Sequence, residues 1–251
     1  MDYLSKEELR AQVPVAFATK PTNKAVTESY VHISTEKVID DLEKLGWLPV
    51  EGSQRKNRGK DTIFSKHMIQ FQNPDIMVKG ADGDNAFPRI LVTNSHDGMN
   101  SFQFRVGIFR LVCSNGLVIS DADFGVMSIR HLNYTFESLQ AKVAEMITKL
   151  PGLVQKINLF KSKTLTETQM NDFATKAAAL RTKKTVNIMD VLTPTRTEDQ
   201  GNDLWVVFNR VQEKILGGSY TSGGRKARSV KNFQQDIKIN EQLFELAESY
   251  I

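Results

Sequence analysis

An α+β fold is predicted for this 251-residue chain: an N-terminal helix and antiparallel β-meander followed by a helical C-terminal half. Three observations predict it. Ser101 to Ser120, SFQFRVGIFRLVCSNGLVIS, is the longest apolar, strand-like run in the chain. The strand-like runs before it are joined by connections without the helical crossover that parallel neighbours require. After Asn133 the apolar spacing changes from alternation to the three-and-four pattern of helices.

Taken in order, residues 1–34 read as an extended N-terminal arm, because Pro14, Pro21 and scattered polar residues break any period. The apolar patch Val13 to Phe17 is expected to pack on the body or on a neighbouring subunit. Thr35 reads as a helix N-cap with Glu36 in the first turn; Val38, Ile39, Leu42 and Leu45 keep helical spacing and Gly46 closes the helix. Trp47 to Val50 follows as a first strand, placed at an edge by Pro49. Further strands are expected over Thr62 to Phe71 and Arg89 to Thr93.

In the organising stretch Phe102, Phe104, Val106 and Ile108 alternate with Gln103 and Arg105. The parity then flips, with Phe109 and Leu111 apolar and Arg110 polar. Gly107 sits at the changeover, which predicts a bulge that brings Arg105 and Arg110 onto one polar face. Ser114-Asn115-Gly116 supplies a turn. Residues 35–160 thus form a helix-plus-sheet core.

The last region, 161–251, is expected to be helical and to pack on that core. A helix from Phe136 to Leu150 is broken or kinked at Pro151-Gly152. Thr166 and Gln169 spell a capping box for the next helix. Val186 to Arg196 reads as irregular. Leu204 to Ile215 form a helix stopped by Gly217-Gly218, and a Gly/Ser/Arg loop, SYTSGGRKARS, separates it from a final helix.

An apolar fraction of 40% and a charged fraction of 25% mark a soluble globular protein. No apolar run approaches the roughly 20 residues of a membrane span, and the N-terminus lacks a signal-peptide core. One cysteine excludes an internal disulfide framework and suits a reducing cytoplasm. The net charge of +4 is mild, but its distribution is uneven. Glu51 to Gln70 holds five Lys or Arg against two acids, and Arg210 to Lys231 holds six against one. Such segments are an electrostatic footprint for nucleic acid.

Catalytic patterns are weak. The four histidines show no zinc spacing. His96 with Asp82 and Asp84 gives a nuclease-type cation site as one alternative. Cys113 lies in an apolar strand end, the setting of a buried packing thiol. Gly218 to Arg225 lacks the Lys and Ser/Thr of a phosphate loop. A flexible basic loop that orders on a phosphate backbone is the expectation there. Tyr220, in the same loop, is the best exposed candidate for stacking on a base.

The V-C-S-N-G-L core (Val112 to Leu117), Ile129-Arg130-His131 and LWVVFNRVQEKILGG (Leu204 to Gly218) resemble a phage- and plasmid-borne family catalogued as a domain of unknown function, from about Ser29 to the end. The resemblance implies a mobile-element origin and no reaction. In its order of elements, and in Gly46-Trp47, the chain is also similar to recombination-mediator single-strand annealing proteins. These form rings or filaments and hold DNA in a basic groove.

The expected function is a phage-encoded, non-catalytic protein that binds single-stranded DNA and promotes annealing, recombination or replication. It would act as a homo-oligomer in the cytoplasm of an infected bacterium, without cofactor or membrane, with phage or host replication and recombination proteins as further partners. The expected binding residues are Arg55, Lys56, Arg58, Lys60, Arg105, Arg110, Tyr220, Arg225, Lys226, Arg228 and Lys231, lining one basic groove. The alternative of a different class is a phage protein-binding module that inhibits a host defence or nucleic-acid enzyme, using an exposed apolar patch.

Overall fold

The computed structural model describes residues 2–19, 34–55, 64–77, 86–96, 102–110, 116–119, 127–129 and 134–251. The fold is α+β, with an N-terminal helix and antiparallel sheet followed by a helical C-terminal half. The chain divides into two compact units, Met1–Leu111 with Asp123–Thr148, and Val112–Ala122 with Lys149–Ile251.

In the first unit, β1 (Leu48–Gln54), β2 (His67–Gln72), β3 (Ala86–Asn94) and β4 (Phe102–Arg110) pair in sequence order, all antiparallel. A short β6 (Met127–Ile129) pairs with the start of β4. β1 is the sheet edge, as Pro49 requires. Pro88 lies in the interior strand β3 at a tolerated place. The β2 pairing ends at Gln72↔Arg89, one residue short of it, so the missing N–H removes no ladder bond on that side.

β4 runs against β3 in one unbroken register from Ala86↔Arg110 to Thr93↔Gln103. The bulge expected at Gly107 is therefore absent. With period-two alternation intact, the backbone gives positions 105 and 110 opposite parity, and the Arg110 side chain lies outside the described ones. Gly107 sits directly opposite Arg89 in that register.

One face of the sheet carries Ile69, Phe71, Ile90, Val92, Phe102 and Phe104, all buried. The N-terminal segment and α2 (Thr35–Lys44) belong to the same unit. Residues expected as an extended arm instead form α1 (Lys6–Gln12), opened by a Ser5/Glu8 capping box, and a 3₁₀ turn (Pro14–Phe17). They dock on their own sheet: Gln12 accepts from the Gly52 N–H at 3.2 Å, and Gln54 accepts from the Val15 N–H at 3.2 Å. Val13, Val15, Ala16 and Phe17 are all buried by this docking.

Ser34, not Thr35, caps α2: its hydroxyl accepts from the Lys37 N–H. Thr35 enters the first turn and turns inward, because a better set of partners waits in the core. Its hydroxyl meets His67 Nε2 at 2.9 Å and accepts from Asn94 Nδ2 at 3.0 Å. His67 Nδ1 donates to the Ser65 carbonyl at 3.1 Å, which leaves Nε2 as the acceptor of a neutral ring. Its pKa is lowered to about 4 by burial, opposed by the Ser65 hydrogen bond. At the far end, Gly46 (φ +80°) and Trp47 donate back to Glu43 and Leu42, the Schellman arrangement. Asp41 is buried. Desolvation would raise its carboxyl, but hydrogen bonds from Lys37, Lys44 and Tyr134 bring it below the usual carboxylate range.

α3 (Phe136–Ser162) continues through Pro151 as one helix, without the break that was one of the two expected outcomes. Leu150, Leu153, Ile157 and Phe160 are buried on either side of the proline, and this apolar face outweighs one lost backbone bond. The boundary between the units falls within this helix, between Thr148 and Lys149.

The second unit adds α4 (Glu167–Arg181), α5 (Ile188–Leu192), α6 (Leu204–Gly217) and α7 (Phe233–Glu248), with β5 (Gly116–Ile119) lying against α7. The Thr166/Gln169 capping box forms as its spacing predicts. Phe160, Phe208 and Phe244 meet at the centre, with the Trp205 ring stacked on Phe208 at 5.9 Å. Among the described residues no helix is long and apolar enough to cross a membrane.

Two expectations follow. His67 is neutral in the folded protein down to about pH 4, whereas the unfolded chain takes up its proton near pH 6.5. Stability is therefore full above about 6.5 and declines as pH falls toward 4, by up to about 3 kcal/mol from this group. Urea midpoints across that range measure the slope, and His67→Asn should flatten it. Separately, a Cβ on Gly52 would come within 2.5 Å of Val13 and 2.8 Å of Leu9. Gly52→Ala is expected to destabilise the unit by about 1–3 kcal/mol through overpacking; an unshifted melting temperature would contradict tight docking of the N-terminal segment.

Candidate nucleic-acid interface

The basic C-terminal loop is a hairpin. β7 (Thr221–Ser222) and β8 (Arg225–Lys226) pair across Gly223-Gly224. Both glycines have positive φ, +56° and +72°, the requirement of a type I′ turn. The hairpin leaves α6 through Gly218 (φ +83°), where a Cβ would stand 2.6 Å from the Ala227 carbonyl oxygen. Only glycine fits both demands.

Two strand residues each way do not hold a hairpin in water, and neighbours pin this one. Asn187 donates its N–H to Thr221 at 3.0 Å, and Gly223 donates to Thr185 at 2.8 Å. Asp190 accepts from the Thr221 N–H at 2.8 Å and from the Asn187 amide at 2.9 Å. The Thr221 hydrogen bonds hold the Asp190 carboxyl below its ordinary value. After β8, Val230 donates to Leu216, tying the exit strand to α6.

Arg225, Lys226, Arg228 and Lys231 are exposed on this pinned support. The segment that bridges to β7 through Val186 follows the end of α4, so Lys183 and Lys184 join them, also exposed. A Cβ on Gly223 would stand 3.0 Å from the Lys184 side chain, which places that lysine beside the turn. Among the described residues none of these six cations is paired with a carboxylate. Sequence reading missed Lys183 and Lys184 because they lie about 40 positions from the turn and read there as a helix-terminal charge run. The Val186↔Ser222 bridge that joins them to the hairpin is a tertiary contact.

Tyr220 is not available for stacking. It is 2% exposed, with the Arg181 guanidinium 5.7 Å from its ring centre. Burial raises its pKa, against the influence of Arg181. A two-residue hairpin turns the side chain preceding it inward against α4, which a free loop would not do.

The remaining predicted residues belong to the first unit. Arg55 is exposed. Lys56, Arg58 and Lys60 lie outside the described residues. Arg105 is half-buried and donates to Gln103 at 2.9 Å and to Thr93 at 3.4 Å. Its sheet face holds a polar cluster that sequence reading also missed. Arg89, 5% exposed, donates to Gln72 and Gln70, both at 3.1 Å, and Gln70 donates to Glu51 at 2.9 Å. Burial pulls the Arg89 pKa down to about 10, opposed by Glu51 and Tyr3. Gln70 and Gln72 alternating with Ile69 and Phe71 was the available signal.

Asp82, Asp84 and Cys113 lie outside the described residues. His96 is fully buried beside His67, ring centres 5.2 Å apart, and its Nε2–H donates to the Val15 carbonyl at 3.0 Å. That places the ring proton on Nε2, so only the buried Nδ1 carries a lone pair. Among the described residues no group of three or more His, Cys, Asp or Glu is placed to hold a metal ion.

The hairpin geometry sets a test. Gly218→Ala forces a side chain into the Ala227 carbonyl at positive φ, a strain of about 1–3 kcal/mol. Hydrogen exchange should then show lost protection at the Ala227 amide, which donates to Tyr220 at 2.8 Å, with the α6 amides still protected. Unchanged protection at Ala227 would mean that the hairpin does not depend on that exit.

Comparison with known proteins places the chain in context. The family model described as "Domain of unknown function (DUF932)" matches residues 23–244. Two Escherichia coli (strain K12) proteins, UPF0380 protein YafZ and UPF0380 protein YfjQ, are each 29% identical over 257 aligned residues, covering 99% of this chain and 92% of the relative. No solved structure matches significantly.

Proposed function

The chain belongs to the DUF932 family, and we propose that it is a non-catalytic nucleic-acid-binding protein that holds single-stranded DNA by its phosphates and assists annealing, recombination or replication. In this reading it is of phage or mobile-element origin, works as a homo-oligomer in the bacterial cytoplasm and meets replication or recombination proteins there. The observation that carries the reading is the hairpin: six exposed cations without carboxylate partners among the described residues, on a backbone held by hydrogen bonds from three neighbouring segments.

Such a surface suits a polyanion with evenly spaced charges. Lysine and arginine on a fixed backbone neutralise successive phosphates and release their counterions. Contacts of this type position a strand without reading its sequence. With Tyr220 buried, this patch offers no ring on which bases stack, so the bases stay free to pair. That is compatible with annealing.

The rival reading, a protein-binding module, drew on the apolar residues Val13 to Phe17. Val13, Val15, Ala16 and Phe17 are buried in their own unit, so that observation no longer favours it. The nuclease reading rests on Asp82 and Asp84, which lie outside the described residues, and on His96, which is fully buried.

The test is binding of a labelled oligothymidylate by fluorescence anisotropy over a salt series. Arg225→Ala, Lys226→Ala and Arg228→Ala combined should reduce affinity by about 10- to 100-fold at low salt. The triple change should also lower the slope of log K against log salt by about two. Wild-type affinity and slope in the triple variant would exclude the hairpin from nucleic-acid binding.

A further inference from the structure

Three chain segments converge on one guanidinium. Arg181 ends α4, and its two Nη groups donate to the carbonyl of Ile215, in the last turn of α6, and to the carbonyl of Arg228, just after β8. The same group lies over the Tyr220 ring, directly before β7. Arg181 therefore holds both the entry and the exit of the hairpin. Among the described residues it forms no ion pair with a carboxylate; its two Nη groups donate to carbonyl oxygens, and the guanidinium also meets Tyr220 at its ring and its hydroxyl. Hydrogen bonds from a charged donor are stronger than neutral ones. One of them also satisfies a carbonyl at a helix C-terminus, where the dipole favours a cation.

We infer that Arg181 is the positioning residue of the basic hairpin: it orders Arg225, Lys226 and Arg228 for a phosphate backbone that it does not itself contact. The inference rests on the nucleic-acid reading above. A hairpin with two residues per strand has little order of its own. Without Arg181, ordering of the exit strand is deferred to the moment of binding and weakens it. The number of phosphates neutralised stays the same. Affinity and salt slope, which fall together when a contacting cation is removed, separate when a positioning residue is removed.

The experiment is the same anisotropy titration with full-length Arg181→Ala, Arg181→Lys, the triple hairpin variant and the triple variant combined with Arg181→Ala. Arg181→Ala should weaken oligothymidylate binding by about tenfold with the wild-type salt slope. Arg181→Lys keeps the charge and the helix-end contact but not the two-pronged geometry. It should weaken binding by about threefold, and it keeps the test open if the alanine variant folds poorly. In the triple background, Arg181→Ala should have no further effect. The positioning role is overturned by any of three results: unchanged affinity in both single variants, a slope reduced by about one (which would make Arg181 a phosphate contact), or an equal loss in the triple background. If the wild type fails to bind, or the triple variant binds like the wild type, the nucleic-acid reading falls first and the positioning role falls with it.

Discussion

A helix enclosed by protein on nearly every side needs partners for its buried polar side chains, and α6 is such a helix. Ten of its residues are buried, among them Asn209, Arg210, Gln212 and Lys214. Arg210 donates to the carbonyls of Asp199 and Gly201, Asn209 to the Trp205 carbonyl, and Gln212 to Asn240 on α7. Burial pulls the Arg210 pKa down, opposed by Asp199 and Asp203. An unmatched buried polar group costs more than a surface contact returns. These bonds therefore set where α7 and the Asp199–Gly201 turn lie around α6, and the aromatic cluster of Phe160, Phe208 and Phe244 fills what remains.

The hairpin inherits its place from that helix. It begins where α6 ends, and its supports come from α6, from the end of α4 and from the Thr185–Asp190 segment. Its cations therefore project from a backbone already ordered before any ligand arrives. In the proposed reading, such a surface loses less entropy on association than a flexible loop of equal charge.

The first unit follows a different rule. From β2 to β4 the register is unbroken, so alternation separates a face with Ile69, Phe71, Ile90 and Val92 from one with Gln70, Gln72, Arg89 and Arg105. Between α2 and the sheet lies a small buried polar set, Thr35, His67 and Asn94, whose members satisfy one another. A set of this kind adds little net stability but penalises any other placement of α2, because misplacement strands its polar atoms. Docking of the N-terminal segment works alike through close approach: Gly52 has no side chain, and Leu9 and Val13 occupy that space.

Much of this was legible in the sequence where the physics is local. Alternation marked the strands, Gly46 and the Thr166/Gln169 pair marked helix ends, and Pro49 marked an edge, because each depends on residues a few positions apart. The Gly223-Gly224 pair was likewise a hairpin signal, although it reads as a loop when only the surrounding charge is considered. What misled was local pattern without its partner. A parity flip near Gly107 resembled a bulge until β3 supplied the register, and Thr35 resembled a cap until His67 and Asn94 offered it better bonds. By itself the sequence determined the α+β class, the order of elements and the presence of concentrated positive charge. Only the tertiary structure decided that Tyr220 is buried, that Lys183 and Lys184 join the hairpin, and that Arg181 secures it. Those facts arise from hydrogen bonds and ring contacts between residues about 35 to 50 positions apart, a separation at which spacing along the chain carries no geometric information.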